Sequence, residues 1–108
     1  MRILAIETSC DDTALACLED GVVRASIGAN QDAHHQRYGG VVPEIAARVH
    51  LDAINPVIDE VLAKAEWTLG EIDLFAVTQG PGLLGSLLIG VTTAKTLAFV
   101  TGKPLVAV

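Results

Sequence analysis

The chain has 108 residues, 51% of them apolar, and its seven basic and thirteen acidic side chains leave a net charge of −6. That size is one domain or a piece of one, with enough apolar residues for a core that needs no disulfide staples. The acidic balance excludes nucleic-acid binding by this piece alone, because Lys and Arg make most phosphate contacts.

Arg2 to Glu7 is short and continuously apolar up to Ile6, as expected of a central strand. Thr13 to Glu19 predicts a second strand, and Asp20-Gly21 is a strong hairpin signal. Val22 to Gly28 alternates through Val23, Ala25 and Ile27 and predicts a third. Asn30 to Gly40 is polar, carries His34, His35 and Arg37, and reads as a loop closed by a Gly39-Gly40 turn. Pro43 suits the first turn of a helix, with Glu44 beside it to complement the helix dipole. This helix is expected to run to Ala65 with two apolar stripes, Leu51, Ile54, Ile58, Val61, Ala65 and Ala46, Val49, Ala53, Val57. Pro56 cannot donate to the Asp52 carbonyl, so a kink is expected there.

Glu71 to Thr78 predicts a fourth strand, and Gln79-Gly-Pro-Gly82 a turn. A second helix should follow over Leu84 to Thr101, ended by Gly102. Ser86, Gly90, Ala94 and Ala98 make an i, i+4 row of small side chains on it, which lets another backbone come close. Polar residues interrupt its apolar run, which reads as a core helix and not a membrane span. Pro104 opens a fifth strand, and a chain stopping inside that strand reads as a fragment. The order β-β-β-α-β-α-β is that of the ribonuclease H-like unit, the half-lobe of the actin-like ATPase (sugar kinase, Hsp70 and actin) fold: α/β with a mixed sheet.

Cys10 and Cys17 are too few for a disulfide framework and lack metal-ligand spacing, which fits a reducing, cytoplasmic setting. No secretory leader is legible, because the first apolar run is short and acids follow it.

Three segments could carry chemistry. Thr8-Ser9-Cys10-Asp11-Asp12-Thr13 lies between two strands. Its N–H groups and hydroxyls could hold phosphate oxygens and its carboxylates a cation; equally, its side chains could only satisfy the local backbone. Gly80-Pro-Gly82-Leu-Leu-Gly85-Ser86 leaves a strand and opens a helix. It lacks the endings of a P-loop or a dinucleotide fingerprint, and close helix packing explains its glycines. His34, His35 and His50 have no third ligand at suitable spacing, which argues against a metal site; His50 reads as a partly buried structural residue. Cys10 near a cation would be reactive, though a small loop residue is the simpler reading. Glu44 and Arg48, one turn apart, are either a surface ion pair or a carboxylate facing the first turn.

Glu7-Thr-Ser-Cys-Asp-Asp-Thr13, His35-Gln-Arg-Tyr-Gly-Gly-Val-Val-Pro-Glu-Ile-Ala-Ala-Arg-Val-His50 and Gly80-Pro-Gly-Leu-Leu-Gly-Ser-Leu-Leu-Ile-Gly90, followed by Ala94-Lys-Thr-Leu-Ala98, together resemble the TsaD/Gcp family over the whole chain. Asp12 stands where that family commonly has Glu, which keeps the carboxylate but shortens its reach. The resemblance implies the catalytic subunit of tRNA N6-threonylcarbamoyladenosine synthesis. Such an enzyme moves threonylcarbamoyl from ATP-derived threonylcarbamoyl-adenylate to adenosine 37 of tRNA.

The resemblance further implies Asp11 and Asp12 as catalytic residues, and Ser9, Cys10, Thr13 and Glu44 as substrate- or phosphate-binding. It implies one iron or zinc ion, held by an His-x-x-x-His pair and a distant Asp beyond Val108, so no metal ligand within this chain. The expected partners are tRNA, further synthesis subunits and a non-catalytic paralogue, the last docked on the two helices at Ser86, Gly90, Ala94 and Ala98. No membrane is expected. The fragment alone is expected to be inactive and open to self-association. The non-catalytic paralogue lacks the first two motifs, a metalloendopeptidase (the family's older label) would want His-Glu-x-x-His, and a small-molecule kinase matches only the first turn.

Overall fold

A computed structural model describes residues 1–31 and 35–108. His34 and part of the expected loop lie outside the described residues. Strands β1 (Arg2–Glu7), β2 (Asp12–Glu19) and β3 (Val22–Asn30) come first, then helix α1 (Pro43–Ala65), strand β4 (Leu74–Val77), helix α2 (Leu84–Thr101) and strand β5 (Leu105–Ala107). The sheet order is β3-β2-β1-β4-β5, antiparallel between β1, β2 and β3 and parallel between β1, β4 and β5. This is the ribonuclease H-like half-lobe of the actin-like fold.

Residues of the two element types follow the periods that place them. Asp20 and Gly21 both take positive φ, +51° and +81°, the turn that matches the twist of paired strands. Along β1 and β2 every second side chain is buried: Leu4 and Ile6, continued by Thr8 just past β1, then Thr13, Leu15 and Cys17. That sheet face meets Ile54, Val57 and Val61 of α1 and Ala94 and Ala98 of α2 in one core, with Phe75 and Val77 from β4. The other face carries Ala5, Ala14, Ala16 and Ala76, half-buried, around a shallow concavity of about 210 Å³.

The structure shifts several expected features. β4 starts at Leu74 and not Glu71, because Thr68-x-x-Glu71 closes a 3-10 turn at Leu69–Glu71: the Glu71 carboxylate accepts the Thr68 N–H at 2.9 Å. α1 reaches Ala65 as expected, with Pro56 inside it. Its buried stripe uses His50 where Leu51 was expected; Leu51 is 60% exposed.

α2 is long and apolar enough to cross a membrane by length and composition, yet one side lies on the sheet. Its small-residue row is turned inward: Ser86, Gly90, Ala94 and Ala98 are all buried against the chain's own strands. The row is therefore not open to a partner. The face left open is another one, with Leu84, Leu88 and Phe99 exposed.

At the far end from the first turn, Arg2 is held on three sides. Its guanidinium donates to Glu19 at 2.9 Å and Glu71 at 2.6 Å, and stacks 5.0 Å from the Trp67 ring centre.

Candidate functional site

The β1–β2 turn lies at the C-terminal end of β1, where α2 begins. Three contacts stitch it to that helix. The Leu83 N–H donates to the Ser9 carbonyl at 2.8 Å. Gly82 approaches Ser9 so closely that a Cβ there would stand 2.6 Å from the Ser9 carbonyl oxygen. The buried Thr8 hydroxyl donates to the Ser86 carbonyl at 2.7 Å and accepts the Gly90 N–H at 3.1 Å. Those two backbone groups are four residues apart, the pair that a regular helix joins directly, so Thr8 enters the ladder of α2.

Glu7 fastens the turn from within. Its carboxylate accepts the Ser9 N–H at 2.9 Å and the Ser9 hydroxyl at 2.8 Å. Both Ser9 donors are thus engaged, which corrects the expectation that Ser9 presents them to phosphate. Thr13 is also corrected: it is fully buried and its hydroxyl meets His50 Nδ1 at 2.8 Å, away from solvent. The other ring nitrogen of His50 lies 2.8 Å from the Cys10 carbonyl.

Cys10 is half-buried. Burial pushes its thiol above the ordinary 9.0, and Asp11, Asp12 and Glu7 push the same way, which disfavours a reactive thiolate.

The two carboxylates part company. Asp12 is exposed and its Oδ1 accepts from Asn30 Nδ2 at 2.8 Å. Asp11 lines a cleft of about 370 Å³ together with His35, Gln36, Gly39, Gly40 and Val41. The first motif and the start of the second therefore share one cavity. The wall opposite Asp11 is built by a buried polar clasp. His35 Nε2 meets Gln31 Oε1 at 2.8 Å, Gln31 Nε2 donates to the Ala46 carbonyl at 3.2 Å, and the Val42 N–H donates to His35 Nδ1 at 3.0 Å. His35 is thereby a structural residue of this wall.

Glu44 lies elsewhere. It borders a separate depression on α1 with Arg48 and Asp52, so it does not line the Asp11 cleft. It makes no ion pair with Arg48 among the described residues. Ser86 Oγ is buried with no hydrogen-bond partner among the described residues. Among them, too, no three of His, Cys, Asp and Glu converge as metal ligands.

Sequence reasoning missed Glu7, Thr8 and His50 as the residues that hold the turn. For Glu7 a local signal existed, a carboxylate two residues before a Ser. For the others the contacts span 37 to 82 residues and leave no spacing to read.

Comparison with known proteins gives the chain's family and fold relatives. Residues 22–108 match the family model described as "TsaD: tRNA N6-adenosine threonylcarbamoyltransferase". Curated relatives with that name include one from Kosmotoga olearia, 55% identical over all of this chain and 33% of its own length, and one from Moorella thermoacetica, 57% identical over 99% and 32%. A third, from Brachyspira hyodysenteriae, is 59% identical over 99% and 32%. The chain thus spans about a third of the length of the curated relatives it matches. Among solved structures, "YeaZ from Pseudomonas aeruginosa" superposes with a TM-score of 0.74 at 25% identity, over 99% of this chain and 43% of that one. The chain belongs to the TsaD family, the tRNA N6-adenosine threonylcarbamoyltransferases.

Proposed function

We propose that the protein, at the full length of its relatives, transfers a threonylcarbamoyl group from threonylcarbamoyl-adenylate to N6 of adenosine 37 in tRNA. In this reading the present chain supplies one wall of the donor site. The observation that carries it is the cleft shared by Asp11 and Gly39–Val41 in a chain of this family.

The reaction is acyl transfer from a mixed anhydride. N6 attacks the carbamoyl carbon, the bond to the phosphate oxygen breaks, and AMP leaves with the electron pair while N6 loses a proton. An exocyclic amine is a weak nucleophile, so orientation matters as much as base strength. Asp11 faces the cleft and is suited to orient the amine or take its proton. Asp12, engaged by Asn30, is suited to support the turn.

The iron or zinc ion implied by the family would be held by residues of the longer protein beyond Val108, and no step here runs through it. With a net charge of −6, the tRNA-binding surface belongs to the remainder of the longer protein. A paralogous partner would dock on the open side of α2, at Leu84, Leu88 and Phe99.

The test uses full-length protein with its synthesis partners, threonine, bicarbonate, ATP and unmodified tRNA, with modified adenosine followed by mass spectrometry. Asp11→Ala should abolish product and Asp12→Ala reduce it, both with folding intact. Full activity in Asp11→Ala would remove the turn from the active site.

A further inference from the structure

His50 is not among the residues lining the cleft, yet it bonds to both flanks of the turn that borders it. The residue is fully buried on α1, 40 positions from Cys10. A carbonyl oxygen can only accept, so His50 Nε2 carries the proton and donates to the Cys10 carbonyl at 2.8 Å. In the neutral ring Nδ1 is then the acceptor, and the Thr13 hydroxyl donates to it at 2.8 Å. One imidazole thereby grips both flanks of Asp11 and Asp12, and both of its nitrogens are satisfied.

The peptide joining Cys10 and Asp11 is trans, as is every described peptide except Gly80-Pro81. In a planar trans peptide the C=O and N–H point in opposite directions. With the Cys10 oxygen held on the ring, the Asp11 N–H points away from His50, and Asp11 itself lines the cleft. That N–H has no acceptor among the described residues.

We propose that His50 is a positioning residue: by holding the Cys10 carbonyl it turns the Asp11 N–H outward as a hydrogen-bond donor for an anionic oxygen of the acyl donor. The inference rests on the acyltransferase reading above and adds a residue to it. An N–H held in place before the ligand arrives costs no reorganisation on binding. A ring that could rotate, or a peptide free to flip, would present a carbonyl oxygen to the same anion and repel it.

The experiment compares His50→Gln, His50→Asn and His50→Phe in the full-length enzyme with its partners. KM is measured separately for threonylcarbamoyl-adenylate and for tRNA, with the unfolding temperature of each variant. The Gln amide can still reach the Cys10 oxygen, while Asn reaches only the Thr13 side and Phe reaches neither. The expected result is a KM for the adenylate raised about tenfold in His50→Asn and His50→Phe, near wild type in His50→Gln, with the KM for tRNA unchanged.

If His50→Phe fails to fold, the Gln and Asn pair alone decides. Equal adenylate KM in those two, or a loss that follows unfolding temperature and falls on both substrates, overturns the proposal and leaves His50 a packing residue. Asp11→Ala in the same series separates the two readings. A dead Asp11→Ala beside an unaffected His50→Asn sinks only the role of His50. An active Asp11→Ala sinks the site itself.

Discussion

Thr8 and Gly90 are fitted to one another: the threonine hydroxyl accepts the glycine N–H at 3.1 Å, and a Cβ on residue 90 would stand 2.5 Å from that hydroxyl oxygen. Gly90→Ala gains helix propensity of about 1 kcal/mol but overpacks a filled core, which costs about 1–3 kcal/mol. Net destabilisation of about 0–2 kcal/mol is expected. Thr8→Ala removes the obstructing atoms, so Thr8→Ala/Gly90→Ala should be more stable than the sum of the single losses predicts. Thermal unfolding of the four proteins checks this, and strict additivity would mean that the two residues do not constrain each other.

Glu7 holds two donors of Ser9 where Ser9 holds only one carboxylate, so the two substitutions should differ. Ser9→Ala keeps the N–H bond to Glu7 at 2.9 Å and should lose little stability. Glu7→Ala releases both donors and should loosen the turn, with activity falling about tenfold or more below that of Ser9→Ala. Equal activities of the two folded variants would show that the carboxylate does not order the turn.

Charge holds the opposite end of β1, and it sets a pH window. Glu71 lies below its ordinary 4.5, first through the Thr68 N–H and hydroxyl and then through Arg2; Glu19 is lowered chiefly by its hydrogen bond to Arg2. Groups lowered on folding stabilise fully above 4.5, and the contribution fades as pH falls through their depressed values. The N-terminal amine is raised above 8.0, chiefly by Asp20, so its contribution is present below 8.0 and fades as pH rises past it. Arg2→Leu should therefore flatten the fall in unfolding temperature below pH 4.5, and acetylation of the amine should flatten the fall above pH 8. Unfolding temperature from pH 3 to 10 measures both; unchanged limbs would show that these exposed pairs add nothing, as many surface pairs do.

Phe99 is 88% exposed on the open side of α2, in helical register with Leu84 and Leu88. Phe99→Glu should leave the unfolding temperature within about 0.5 kcal/mol-equivalent of wild type and weaken association with a paralogous partner at least tenfold, because exposed aromatics anchor interfaces. Isothermal titration with the purified partner reads the affinity. Wild-type affinity would move the docking surface off this face.

How far the sequence announced this structure depends on where each signal resides. Pro43 and Gly102 mark helix ends locally, and both helices fall at the expected bounds. The end of α1 at Ala65 is capped by Glu66 with φ of +61°, for which no Gly or Asn gave notice. β4 begins later than expected because Glu71 is not its first residue but the N3 carboxylate of a Thr68-x-x-Glu71 capping box, a spacing that marks a helix start. Periodicity also placed Leu51 inward where His50 lies, since a ring with two distant hydrogen-bond partners is invisible to a count of apolar residues. In the site, the first turn was legible as a polar break between strands. The likeness of its companion segment to a family was equally legible. That Asp11 shares a cleft with Gly39–Val41 while Thr13 is buried and Ser9 is bound to Glu7 required the fold, because these contacts join segments distant in sequence or depend on the path of the turn.

β1 is fastened at both ends by unlike means. Arg2 is set among carboxylates and an indole at one end, and Thr8 and Ser9 are bound to α2 at the other, about 20 Å away along the strand. On the function proposed above, robustness and reactivity therefore occupy separate addresses on a single strand. Mutational drift in the ion cluster can retune heat or acid tolerance without disturbing the chemistry, whereas a change in the turn has no such freedom. An engineer seeking a hardier protein would begin at residues 2, 19 and 71, and leave residues 7 to 13 untouched.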